Sequence, residues 1–166
     1  MSFDQRQFIK INEDAFVFKN FITDEHADEM KMVAESNYFT VRESHPIHEI
    51  SGYPDGKVHQ MISRLLEKGT FCSNLSFVNT PKGLFWGEHT DLLDYDKPSK
   101  KKTHGGIIYL NNFDGGDVYY PESKTSYHPN KGDMIIHRSD KVHGVKEVKS
   151  DSRYTINFHL WTRNVI

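Results

Sequence analysis

The sequence predicts an α+β protein: a double-stranded β-helix, or jelly roll, with supporting N-terminal helices. Three observations predict it. From Asn74 onward, short β-like runs are separated by Gly, Pro and Asp, the punctuation of a sandwich or barrel. Before that, two stretches carry apolar residues at helical spacing. Finally, two histidines and an aspartate lie far apart in the β-rich half, and the mouth of a double-sheet jelly roll can gather such residues around a metal.

The 166 residues suit one domain spanning 1–166, with helical support over about 1–70 and the jelly-roll core over about 72–162. Eleven Phe, eight Tyr and two Trp supply the aromatic bulk that β-rich packing uses. The formal net charge of −2 gives no basic field for nucleic acid or an anionic membrane. Cys72 stands alone, which rules out an intramolecular disulfide, and it reads as a small buried hydrophobe. The segment Met1-Ser2-Phe3-Asp4-Gln5-Arg6 has no apolar leader, and no apolar run approaches the roughly 18 residues of a membrane span. A soluble cytoplasmic protein is expected; the sequence is silent on its oligomeric state.

Residues 15–18 read as a strand leading to Phe21-Ile22. Thr23 can cap the helix that follows, with Asp24 and Glu25 in its first turn and Ala27, Met30, Val33 and Ala34 as its apolar stripe. A second helix shows Val58, Met61, Ile62, Leu65 and Leu66 at i, i+3, i+4, i+7 and i+8, with Gly69 where a C-terminal cap belongs. The stretch between, with His45-Pro46 and Gly52-Tyr53-Pro54-Asp55-Gly56, is turn-rich and reads as a loop. Strands are expected over 75–79, 85–91, 106–111, 117–120, 133–138, 145–148 and 154–161. The run Lys97-Pro98-Ser99-Lys100-Lys101-Lys102 reads as a solvated loop.

The last strand carries an internal check. Residues two apart share a face, so Arg153, Thr155, Asn157 and His159 oppose Tyr154, Ile156, Phe158 and Leu160. Four polar residues against four apolar ones describe either a solvent-facing edge or the wall of a polar lumen. The lumen is the better reading, because Arg153 falls where an anionic ligand would need an anchor.

The chemistry begins with His89-Thr90-Asp91 and with His143, 54 residues after His89. Two imidazoles and a carboxylate form the ligand set of a mononuclear non-haem iron site and cover one face of an octahedral Fe(II). Arg153, ten residues beyond His143, offers a fixed fork of donors to a dicarboxylate cosubstrate. With ten histidines in the chain, a lone His-x-Asp is weak; order and context give it force. His137 sits in an apolar run and reads as a core or lumen histidine. His104 and His128 fall in loop contexts, and His159 shares the face of Arg153 and can line the pocket.

These residues resemble the iron(II)/2-oxoglutarate-dependent dioxygenases, in particular the prolyl 4-hydroxylase-like family. Tyr109-Leu110-Asn111 looks like the family's strand after the iron-binding turn, and Gly115-Gly116-Asp117 with Tyr120-Pro121 like its next hairpin. Pro129-Asn130-Lys131-Gly132-Asp133-Met134 resembles the turn leading to the distal histidine, and His143-Gly144-Val145 and Arg153-Tyr154-Thr155 close the pattern. The match covers roughly residues 72–162. Before residue 70 only Phe21-Ile22-Thr23 and its helix resemble the family's start.

The resemblance implies that His89, Asp91 and His143 bind Fe(2+), and that Arg153 pairs with the distal carboxylate of 2-oxoglutarate beside Tyr109 and Thr155. Ascorbate would serve as an additional factor. Many relatives carry a tyrosine about ten residues before the first ligand; here the chain reads Phe77-Val78-Asn79-Thr80-Pro81, and Asn79 is the candidate for that hydrogen bond. Trp86 either faces substrate or packs. The implied activity is hydroxylation of a side chain, foremost a prolyl residue in a peptide or protein, with release of succinate and carbon dioxide. The alternatives are hydroxylation of a free amino acid or other small molecule, a non-catalytic metal-binding module of the same fold, and a metalloenzyme that uses no 2-oxoglutarate.

Overall fold

A computed structural model describes residues 8–36, 40–41, 48–51, 56–66, 70–73, 75–92, 100–150 and 152–163. Thirteen strands and two helices occur among them, in the order β1 (Phe8–Asn12), β2 (Ala15–Phe18), α1 (Asp24–Ser36), β3 (Thr40–Val41), β4 (His48–Ser51), α2 (Gly56–Ser63), β5 (Thr70–Cys72), β6 (Ser76–Pro81), β7 (Trp86–His89), β8 (Lys100–Tyr109), β9 (Val118–Tyr120), β10 (Thr125–Tyr127), β11 (Met134–Arg138), β12 (His143–Val145) and β13 (Ser152–Arg163). Nine strands form the major sheet, ordered β1-β2-β11-β8-β13-β6-β4-β3 with β5 also on β13. Four form the minor sheet, ordered β10-β9-β12-β7. All the pairings are antiparallel, and the two sheets make the expected double-stranded β-helix.

The major sheet is covered on both faces, and strand parity assigns each side chain. Ile108, Leu110, Met134, Ile156, Phe158, Leu160 and Phe77 pack with Ala27, Met30 and Ala34 of α1 and Val58 and Ile62 of α2. On the opposite face, Ala15, Val17, Ile107, Tyr109 and Ile135 pack with Phe113, Val118 and Tyr120 to fill the interior of the roll. Two apolar cores thus clamp the sheet whose inner face carries the polar residues of β13.

Helix α1 starts as its sequence directs. The Thr23 hydroxyl accepts a bond from His26 N at 3.2 Å and satisfies one orphan donor of the first turn. Its buried stripe is Ala27, Met30 and Ala34; Val33, expected inside, is 40% exposed. Helix α2 ends at Ser63, and Leu65 and Leu66 reach the core from the turn beyond it. Gly69, His45-Pro46, residues 52–55 and residues 97–99 lie outside the described residues.

Strands β5 and β10, three residues each, lack the alternation that announces a strand, and their partners supply the pairing; β1, where no strand was expected, does alternate over Ile9-Lys10-Ile11-Asn12. Strand β8 begins at Lys100, six residues before the expected start. The expectation of a solvated lysine run is corrected there: Lys102 lies within β8 and is only 3% exposed. The β8–β13 register steps from Leu160–His104 to Trp161–Lys102, leaving Thr103 as an extra residue. That bulge turns Lys102 to the inner side, with its ammonium 5.2 Å from the Trp161 ring centroid. Cys72 is buried, as read, and burial pushes its thiol up to about 12. Among the described residues no helix is long and apolar enough to cross a membrane.

Candidate metal centre

His89 and His143 are partners across β7 and β12, so the pleat presents both imidazoles on one face, with ring centroids 4.5 Å apart. A register shift between them and the Val145–Trp86 pair places Trp86 near His89 as well. Asp91 follows β7, anchored through its own backbone. Its N–H donates to Ser139 O at 2.9 Å, and its carbonyl accepts a bond from Lys102 Nζ at 2.7 Å. Asp91 Oδ1 then lies 4.0 Å from His89 Nε2 and 3.8 Å from His143 Nε2. The three ligand atoms sit within 4.8 Å of one another, a grouping that can hold a metal ion.

Both imidazoles are oriented for that task. His89 Nδ1 lies 2.7 Å from Gly87 O, and His143 Nδ1 lies 3.0 Å from Lys141 O. A donated Nδ1–H fixes the tautomer and leaves the Nε2 lone pair facing the cation position. Burial, then the nearby His137, depresses His143 to about 3, so its ring is neutral and able to ligate at neutral pH. Burial alone would raise the Asp91 carboxyl, but the hydrogen bond and field of His137, with His143 and His159, hold it well below the usual carboxylate range.

Arg153, the candidate anion anchor, lines the same cavity. Arg153 is 1% exposed, and its stem passes Gly116, where a Cβ would come within 3.3 Å of Arg153 Cδ and 2.9 Å of the Phe113 ring. Its Nη2 donates to the Tyr109 hydroxyl at 3.4 Å, and its guanidinium carbon lies 5.1 Å from the Tyr109 ring centroid. Tyr109 itself is fully buried, which pushes its phenol up although Arg153 pulls the other way. Among the described residues no carboxylate pairs with Arg153, and its Nε has no hydrogen-bond partner. A buried guanidinium without a counter-ion is costly unless a ligand supplies one. The cavity, of about 310 Å³, is lined by His89, Asp91, His143 and Arg153 together with Ser76, Val78, Trp86, Asn157 and His159. Such a volume takes a small organic diacid and one inserted side chain.

Thr155 lies on the Arg153 face and is fully buried, its hydroxyl donating to Asn157 Oδ1 at 2.8 Å. Asn79 is not brought to the site. In the β6–β13 register Val78 and Thr80 oppose Thr155 and Arg153 on the inner face, whereas Asn79 opposes Tyr154 on the outer one. The inner residue there is Thr80, whose hydroxyl accepts a bond from Trp86 Nε1 at 3.1 Å. His137, read from the sequence as a core or lumen histidine, contacts Asp91, and Lys102, read as part of a solvated run, holds the Asp91 carbonyl.

The profile of the 2OG-Fe(II) oxygenase superfamily matches residues 75–161, more than half of the chain and every residue of the cavity just described. The chain belongs to that superfamily. Its fold is similar to that of a viral collagen prolyl hydroxylase from Paramecium bursaria Chlorella virus-1 in complex with 2OG, at a TM-score of 0.73 and 15% identity over 92% of this chain and 98% of the other. A Pseudomonas putida prolyl-4-hydroxylase aligns at 0.70 and 16% identity, over 97% and 95%. A Trichoplax adhaerens prolyl hydroxylase, in complex with a peptide fragment of a hypoxia inducible factor oxygen degradation domain, aligns at 0.68 and 17% identity over 92% and 84%. A comparison with curated protein sequences gives no match. For this oxygenase the family implies Fe(2+) and 2-oxoglutarate, and the donor set and the unpaired Arg153 fit both.

Proposed function

We propose that this oxygenase hydroxylates a side chain of a peptide or protein, a prolyl residue foremost, using Fe(2+) held by His89, Asp91 and His143 and 2-oxoglutarate held by Arg153. The observation that carries the reading is a buried guanidinium with an unpaired Nε in the same cavity as two Nε2 atoms turned toward one carboxylate oxygen. When bound, the iron and 2-oxoglutarate supply the oxidation: one oxygen atom of dioxygen enters the substrate C–H bond, and the other leaves in succinate alongside carbon dioxide.

The residues of the chain do the rest. His89 Nε2, Asp91 Oδ1 and His143 Nε2 would hold the cation, a three-donor set that would leave it positions for other ligands. Arg153 meets the distal carboxylate of the diacid, with the Tyr109 hydroxyl beside it, and so fixes which end of the molecule reaches the metal. Thr155 backs Arg153 and locks Asn157 in the adjoining wall. No side chain is needed as a general base, because the hydrogen leaves carbon through the oxidation and not as a proton.

An inserted substrate side chain meets Trp86, Ser76, Val78, Asn157 and His159. Phe85 and Leu92, 64% and 41% exposed, neighbour Trp86 and Asp91 in the chain and offer apolar contact to an extended peptide. The test is mass spectrometry of proline-containing peptides after incubation with the protein, Fe(II), 2-oxoglutarate and ascorbate as a reductant. A gain of one oxygen on proline supports the reading. Succinate formed without modification of any peptide, but accelerated by a free amino acid, would replace it with a small-molecule hydroxylase.

A further inference from the structure

The second oxygen of Asp91 has a partner of its own. His137 Nε2 lies 3.2 Å from Asp91 Oδ2, and the Tyr120 hydroxyl lies 3.2 Å from His137 Nδ1. Both side chains are shut off from solvent, His137 at 1% and Tyr120 at 3% exposure. The contacts call for one tautomer: Tyr120 O–H donates to Nδ1, and Nε2–H donates to the carboxylate. His137 is opposite Gly105 in the β8–β11 register. A Cβ at Gly105 would come within 2.0 Å of Asp91 Oδ2 and 2.7 Å of His137 Nε2, so a glycine there leaves the space this bond occupies. Strand β8 supplies room, β9 the hydroxyl and β11 the imidazole. His159 Nδ1 approaches the same oxygen only to 3.9 Å, beyond hydrogen-bond distance.

We propose that His137, oriented by Tyr120, is a positioning residue for the metal centre: it holds Asp91 Oδ2, so that Oδ1 alone is presented to the cation. The inference rests on the reading of His89, Asp91 and His143 as the metal ligands. A carboxylate that can swing loses that freedom when it ligates, and can spread both oxygens over two coordination positions. One whose second oxygen is already engaged binds through the first and leaves the neighbouring position to the cosubstrate. Partners of this kind are worth about 10–100-fold in metal affinity.

The experiment measures Mn(II) binding to the full chain by titration calorimetry, with Asp91→Ala as the reference for a lost ligand. His137→Phe should weaken Mn(II) by about 10–100-fold, and His137→Gln, which keeps an N–H donor, should recover most of the loss. Tyr120→Phe should weaken binding in the same direction and by less. Circular dichroism of the metal-free variants checks that each is folded; if His137→Phe is not, Tyr120→Phe, which removes one oxygen atom, decides. Wild-type affinity in the folded variants overturns the inference. Equal losses in His137→Phe and His137→Gln overturn it by making the effect one of packing, and a loss as complete as that of Asp91→Ala overturns it by making His137 a ligand. No Mn(II) bound by the unmutated chain would instead sink the metal-site reading, and the inference with it.

Discussion

Arg153 and Tyr109 meet at 3.4 Å in the interior of the roll, where neither is more than 1% exposed and no carboxylate among the described residues neutralises the guanidinium. This chain therefore keeps a cation in its core at a cost to its own stability. Replacing it with an apolar side chain of similar reach should relieve that cost. Arg153→Met should be at least as stable as wild type in thermal unfolding without ligand, and should lose the stabilisation that 2-oxoglutarate gives the wild type. Its KM for 2-oxoglutarate should rise at least about 10-fold, the scale of a lost charged hydrogen bond. Arg153→Lys should recover only part, because an ammonium cannot reproduce the two-pronged contact. An unchanged KM in Arg153→Met would remove the anchor role.

The metal should stabilise the fold without being required for it. Both apolar cores close without an ion between them. Chelated protein should keep its far-UV circular dichroism. Mn(II) at 100 times its Kd should add about 2.7 kcal/mol, a rise in Tm of roughly 5–10 °C for a chain of this size. Asp91→Ala should show no Mn(II)-dependent rise.

His143 sets an acid limit on the metal-free protein. Its folded value lies below the ordinary imidazole value, near 3, so between about 6.5 and 3 the unfolded chain binds a proton that the folded one refuses. Stability should therefore fall as pH drops below about 6.5, and His143→Gln should flatten that part of the profile. Urea denaturation at a series of pH values measures it; parallel profiles for wild type and variant would contradict the assignment.

Cys72 should resist modification. With its thiol pushed up to about 12 by burial, it should stay unlabelled by iodoacetamide at pH 8.5 in the native state and react promptly in urea. Above pH 9 the unfolded chain gives up a proton that the folded one keeps, so this group takes away up to about 1.4 kcal/mol per pH unit there.

The residues legible from sequence were those whose pattern is local. His89 and Asp91 stand two apart at the end of a strand, and β13 alternates without a break from Arg153 to Leu160. What escaped depended on register. Asn79 was one residue away from the inner face, and only the pairing of Thr80 with Arg153 reveals it. His137 was legible as a core or lumen histidine, but its contact with Asp91 was not: β11 is covered on both sides, Met134 facing the helices and Ile135 the lumen, so both parities are apolar and the period of two disappears. Lys102 was hidden by the bulge at Thr103, which reverses parity within one strand. A run of lysines looked like solvent because nothing in the run itself records that reversal.

The central claim is that two imidazoles, one carboxylate and one guanidinium act together on iron and 2-oxoglutarate. Iron-dependent formation of succinate from 2-oxoglutarate, in wild type, Asp91→Ala and Arg153→Met side by side, tests it most directly. The account predicts turnover that stops on chelation, is abolished in Asp91→Ala, and in Arg153→Met returns only at much higher 2-oxoglutarate. Turnover undiminished in Asp91→Ala, or none from wild type with iron demonstrably bound, would contradict it.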